Sequence, residues 1–169
     1  MSYISPKPLK EYPWTLRILF LYQKKKYGEP LVPSLQWGRM PKLLKLFFSF
    51  IRFFERRKSP LDPALRALVM LRVSEINKCS FCIDLNSFAL DKKKTGEISE
   101  KEASAMAFAE AVTDTSKQVE EEHITQLKLH FSDDEIAELA ALIAFQNMSS
   151  KFNSALGIEP HGFCKKKNL

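Results

Sequence analysis

The stretch Arg72-Val-Ser-Glu75-Ile-Asn-Lys-Cys79-Ser-Phe-Cys82-Ile-Asp-Leu-Asn86 decides how this chain is read. Positions 72, 75, 79, 82 and 86 step by three and four, the spacing that stacks side chains along one helix face. A helix that runs through, or is interrupted only briefly at Lys78, places Arg72, Glu75, Cys79, Cys82 and Asn86 on one stripe. Two cysteines three apart on a helical turn bring their sulfurs close enough for a reversible disulfide. A helix N-terminus or a nearby cation lowers a thiol pKa from about 8.5 toward 7 or below, and the thiolate is the attacking form. Buried core cysteines and a zinc half-site are the other readings of the pair. The remaining Cys164, His123, His130 and His161 supply no second metal-like pair, so no metal is expected.

The segment preceding the cysteines extends the pattern. Asp62-Pro63 opens a helix with an N-cap and a first-turn proline, and Leu65, Leu68, Val69, Arg72 and Ile76 carry it toward Cys79. The run Asp62 to Asp84 resembles the core of the carboxymuconolactone decarboxylase family, which includes the AhpD-like alkylhydroperoxidases. The later run Ala141 to Gly157 resembles that family's last long helix. The likeness covers roughly residues 12 to 164 and is densest at 62–91 and 131–158.

That resemblance implies a thiol-dependent peroxidase or disulfide reductase with an antioxidant role. Cys82 would attack a peroxide oxygen, and Cys79, nearer the surface, would condense with it to a disulfide. An external dithiol, lipoyl- or thioredoxin-like, would restore the pair, with no cofactor beyond the redox-active disulfide. A homotrimer or hexamer is implied in the same way. AhpD-like enzymes also carry a relay glutamate twelve positions before the first cysteine and a histidine four after the second. Those positions are Ala67 and Asn86 here, and asparagine exchanges no proton near neutral pH. Glu75 is the substitute base the sequence offers, with pairing to Arg72 as its alternative role. A decarboxylating lyase on the same fold and a non-catalytic interaction or membrane-surface module are the rival functions.

Composition and charge set the frame. The 169 residues suffice for one domain, and five glycines with long apolar runs indicate an all-α, single-domain helical bundle of about seven helices. The expected layout is an arm at 1–11, a helical domain at 12–164 and a basic tail at 165–169. Three cysteines in a lysine-rich chain point to a reducing, cytoplasmic setting. The net charge of +6 is uneven: residues 1–60 hold 13 Lys/Arg against 3 Asp/Glu, and the remainder 13 against 17. Such a basic half suits an anionic surface or an acidic face of a second subunit, and no motif for specific nucleic-acid binding accompanies it.

Outside the central run, helices are expected at Trp14–Tyr27, Pro41–Arg57, Ser80 to about Lys93, from the capping box Ser99–Glu102 to Ala111, and Lys117 to about Leu129. Residues 31–40 read as a connection broken by prolines. A second capping box, Ser132–Glu135, opens the longest apolar helix, which Gly157 stops. The Phe-rich helix at 41–57 suits a core or subunit contact, or a membrane surface. His123 and His130 read as surface or packing residues. Cys164 reads as a structural or exposed thiol.

Overall fold

The structure is a computed structural model that describes residues 2–92 and 96–164. Residues 93–95 of the lysine turn expected at 91–96 and the basic tail at 165–169 lie outside the described residues. Among those described, the chain is helical with no strand: α1 (Trp14–Tyr27), α2 (Val32–Trp37), α3 (Pro41–Phe54), α4 (Pro63–Ile76), α5 (Ser80–Asp91), α6 (Glu100–Thr113), α7 (Glu121–Lys128) and α8 (Asp133–Ala155). Among the described residues, no helix is long and apolar enough to cross a membrane.

Helices α4 and α8 form the centre. Helix α4 packs against α5, α6 and α8, and α8 also meets α5, α6 and α7. Their apolar stripes close on Leu65, Val69 and Val73 from α4 and Leu139, Leu142 and Ile143 from α8, with Ala105, Phe108 and Ala109 of α6 alongside. The expected caps hold these helices in register. Asp62 accepts the N–H groups of Ala64 at 2.7 Å and Leu65 at 3.3 Å. Ser99–Glu102 and Ser132–Glu135 each form a reciprocal capping box.

Three boundaries differ from the sequence reading. The connection expected at 31–40 contains α2, whose residues Pro33 through Trp37 are all buried. Proline is compatible with a first helical turn, where N–H groups have no helical partner. Gln23 fixes that start by accepting the Leu31 N–H at 3.2 Å and donating to Ser34 Oγ at 2.8 Å. The Phe-rich helix ends at Phe54, and Arg56 turns back to donate to the Phe53 carbonyl at 2.7 Å. Helix α7 starts only at Glu121, because Asp114 gathers the Ser116 N–H at 2.9 Å and hydroxyl at 2.7 Å into a turn. His123 is spent on the N-terminus of α7, where Nδ1 accepts the Glu120 N–H at 3.1 Å.

The N-terminal arm is bound to the body. Tyr3 N–H donates to the Leu156 carbonyl at 2.8 Å, and Arg39 Nη2 donates to the Ser5 carbonyl at 2.6 Å. Trp37 stacks between Phe47 and Phe152, at ring separations of 4.9 and 3.9 Å. This aromatic layer joins α2 and α3 to the end of α8 and walls the space above the cysteines.

Candidate redox site

The stripe expected from 72 to 86 is broken at one residue. Lys78 adopts a left-handed backbone with φ of +52°. Its N–H donates to the Glu75 carbonyl at 3.0 Å, and the Cys79 N–H donates to the Ser74 carbonyl at 3.0 Å. That pair of bonds is the Schellman closure of a helix, with lysine where glycine is usual. The chain therefore leaves α4 at an angle, and Cys79 becomes the N-cap of α5. Its Sγ accepts the Cys82 N–H at 3.3 Å. Helix α8 closes in the same manner: Gly157 is left-handed, its N–H reaches the Ser154 carbonyl, and the Ile158 N–H reaches the Asn153 carbonyl, both at 3.0 Å. The two ends are tied together, since Ser154 Oγ donates to the Asn77 carbonyl at 3.1 Å and Ser80 Oγ to the Ile158 carbonyl at 3.3 Å.

Cys79 and Cys82 are joined as a disulfide, with Cα atoms 5.2 Å apart. Both are buried, Cys79 at 1% and Cys82 at 3% exposure, which corrects the expectation that Cys79 lies nearer the surface. The reason is the C-terminal segment: Ile158 and Phe163 pack over the pair together with Phe81. Asp84 anchors that segment by accepting the N–H groups of Phe163 at 2.9 Å and Cys164 at 3.1 Å. Burial pushes the Asp84 carboxyl up, but the N–H groups of Cys164, Phe163 and Gly162 outweigh it and hold the carboxyl below its ordinary range. Burial, followed by the charge of Asp84, pushes the Cys164 thiol up.

Access to the disulfide comes from the other side. A cavity of about 310 Å³ reaches Cys82 and Asn86, walled by Leu19, Tyr27, Trp37, Phe47, Phe145 and neighbouring side chains. Tyr22 of α1 lines it and is also 59% exposed, so α1 forms its rim. Among the described residues, no Asp, Glu, Lys, Arg or His lines this space. Its polar groups are mostly amides and hydroxyls. Asn86 Nδ2 donates to Ser74 Oγ at 3.0 Å, and Gln146 Nε2 donates to the same oxygen at 2.9 Å. Ser74 in turn donates to the Met70 carbonyl at 2.6 Å, which completes its hydrogen-bonding capacity. Asn153 Nδ2 donates to Cys82 Sγ at 3.3 Å.

Of the five residues read from the sequence, the structure brings Cys79, Cys82 and Asn86 together. Arg72 and Glu75 do not line the cavity. Arg72 Nη2 lies 2.6 Å from Glu110 Oε1, and its Nη1 lies 3.2 Å from Glu75 Oε2. Lys117 joins the cluster at 3.1 Å from Glu110, and Arg72 first and Lys117 second hold the Glu110 carboxyl below its ordinary range. Glu75 is thus an exposed ion partner on the α4–α6 face. Sequence reasoning missed Ser74, Gln146 and Asn153. The available signal was polar residues at 146, 150 and 153 continuing the stripe begun by Leu139, Leu142 and Ile143.

A helical bundle with a CxxC disulfide at a helix start, below an apolar cavity, is the AhpD-like class of fold. The crystal structure of a peroxidase-related protein with an alkylhydroperoxidase AhpD core, from Ralstonia eutropha JMP134, superposes with a TM-score of 0.81 at 21% identity, covering 94% of this chain and 92% of that one. The debrominase Bmp8 superposes at 0.79 and 20% identity, over 95% and 92%. The chain belongs to the carboxymuconolactone decarboxylase family: residues 41–120 match that family, and protein YnjA of Escherichia coli K12 is 35% identical over 172 residues, 94% of each chain.

Two outcomes test this geometry. A left-handed lysine costs about 1 kcal/mol relative to glycine. Lys78→Gly should raise the unfolding free energy by about that amount, and Lys78→Val should lower it; urea titrations measure both. The Asp84 anchor has a depressed pKa, so its stabilisation is complete above the unfolded carboxyl value of about 3.9 and fades only as pH falls through the lower folded value. Asp84→Asn removes the charge at every pH. In the oxidised protein at pH 8, it should speed alkylation of Cys164 several-fold.

Proposed function

We propose that the protein is a thiol peroxidase and disulfide oxidoreductase for neutral, apolar hydroperoxides, recycled by an external dithiol. One observation carries the reading: the cavity-side sulfur of a disulfide-bonded CxxC pair, Cys82, borders a space of about 310 Å³ that no charged side chain lines among the described residues. Such a space favours an alkyl or aryl hydroperoxide over a carboxylated lactone, which needs a cationic anchor. The decarboxylase activity in the family's name therefore has less support here.

In the forward half-reaction the Cys82 thiolate attacks the terminal peroxide oxygen and the O–O bond breaks. The alkoxide leaves and takes a proton from solvent, and Cys82 becomes a sulfenic acid. Cys79 then displaces hydroxide from that sulfur, releasing water and forming the disulfide. A lipoyl- or thioredoxin-like dithiol reduces the disulfide by exchange and is itself oxidised. A reducing, cytoplasmic setting would sustain this cycle. Self-association as a trimer or hexamer belongs to the same proposal, supported by exposed Ile18 and Leu21 on α1 and Leu46 and Phe50 on α3.

Ala67 and Asn86 stand at the sequence positions where AhpD-like enzymes carry their relay, and general acid–base help is worth about 10²–10⁴ in rate. Turnover should accordingly be slow, and faster with cumene hydroperoxide than with hydrogen peroxide. Cys82→Ser should abolish consumption. Cys79→Ser should consume one equivalent and leave a sulfenic acid that dimedone traps. Glu75→Gln should be silent and Asn86→His should accelerate the parent. Equal rates for Cys82→Ser and the parent in a peroxide-consumption assay would overturn the proposal.

A further inference from the structure

Three features of the molecule have no part in the redox cycle described above. The groove between α6 and α7 is a surface of helix caps whose His123 is already engaged, and the exposed apolar residues of α1 and α3 belong to the self-association already proposed. The third is a side chain, Asn153. It is 2% exposed, lies in the last turn of α8 and lines the cavity. Its Nδ2 donates to Cys82 Sγ at 3.3 Å, while its Oδ1 has no hydrogen-bond partner among the described residues. A buried amide oxygen without a donor is costly, and native structures keep few of them.

We propose that Asn153 is a catalytic residue: its Nδ2–H stabilises the Cys82 thiolate, and its Oδ1 receives the O–H of a substrate that arrives at that sulfur. The first half stands on geometry alone; the second rests on the peroxidase reading. Burial raises a thiol pKa in apolar surroundings, and a donor to the sulfur opposes that by favouring the charged form. Titratable groups on the surrounding elements are Cys79, Tyr22 and Tyr27 of α1, Asp84 of α5 and His161 of the C-terminal segment. Arg72, Glu75 and Lys78 near the end of α4 and Lys151 of α8 lie on exposed or half-exposed faces. Asn153 is the side-chain donor to Cys82 Sγ among the described residues. Its place is fixed by the helix closure, because the Asn153 carbonyl accepts the Ile158 N–H at 3.0 Å.

A hydroperoxide carries an O–H on the oxygen that the thiolate attacks. Oδ1 accepts that hydrogen while the neighbouring sulfur meets the same oxygen, so one amide orients nucleophile and electrophile together. The site thereby selects a donor-bearing head group on an apolar body.

The first test isolates Cys82 in a Cys79→Ser, Cys164→Ser protein and follows iodoacetamide alkylation against pH, with folding checked by circular dichroism. At pH 7, Asn153→Ala should react about tenfold more slowly than this parent, the loss of one hydrogen bond to a charged sulfur. Asn153→Asp, which keeps the shape but sets an anion beside the sulfur, should be slower still. A packing role predicts the reverse order, and an Asn153→Asp variant that reacts like the parent overturns the assignment. An Asn153→Ala variant whose alkylation rate follows the same pH profile as the parent also overturns it.

The second test uses the oxidised wild-type protein and tryptophan fluorescence to compare 2-phenylpropan-2-ol with its methyl ether. The alcohol should bind about tenfold more tightly, and Asn153→Ala should erase the difference. Equal affinities in the wild type, or no binding of either, overturn the Oδ1 assignment. Should peroxide go unconsumed while the alkylation order holds, the peroxidase reading fails and the thiolate assignment stands.

Discussion

The site depends on how two helices end. Lys78 and Gly157 both turn left-handed, and the two Schellman closures they complete put the last turns of α4 and α8 side by side. From one end springs Cys79 as the cap of α5; from the other projects Asn153 onto Cys82. A continuous helix through 72–86 would have carried Glu75 and Cys82 along one face with no N-terminus near the sulfurs. The break supplies that N-terminus, whose N–H groups and dipole favour negative charge on Cys79. A left-handed lysine is the strain that this arrangement tolerates.

The chemistry around the pair is carried by neutral groups. Ser74 gathers the amides of Asn86 and Gln146, and Asn153 reaches the sulfur, so the cavity side of the disulfide meets amide dipoles and aromatic faces. Formal charges are kept elsewhere: Arg72, Glu75, Glu110 and Lys117 form a network on the α4–α6 face. In a low-dielectric space an amide donor is worth more than in water, and it adds no fixed charge that would repel an apolar substrate. The opposite side of the disulfide is closed by Ile158 and Phe163 and latched by Asp84, which separates the cavity from the C-terminal cover.

Much of the fold was legible in the chain itself. Asp62-Pro63, the two capping boxes and Gly157 mark helix ends by chemistry that acts within a few residues, and all act as the sequence implies. Helix α2 was hidden because Pro33 reads as a breaker unless the first turn is known to begin just before it. The stripe from Arg72 to Asn86 was misleading for a related reason. Lysine carries no local mark for a left-handed bend, so 3–4 spacing ran on through a break that tertiary ties between Asn77, Ser80, Ser154 and Ile158 hold in place. Asn153 could be seen as a polar residue in an apolar stripe. Its meaning came from Cys82, 71 positions away.

On the proposed function, apolar hydroperoxide delivered through the cavity oxidises Cys82 and closes the bond to Cys79. A single-turnover experiment tests it most directly: fully reduced wild-type protein receives one equivalent of cumene hydroperoxide, after which remaining thiols are alkylated and peptides mapped. Loss of two thiols per chain, a Cys79–Cys82 disulfide, one equivalent of cumyl alcohol and a free Cys164 are expected. Recovery of all three thiols, or a disulfide that includes Cys164, would contradict it.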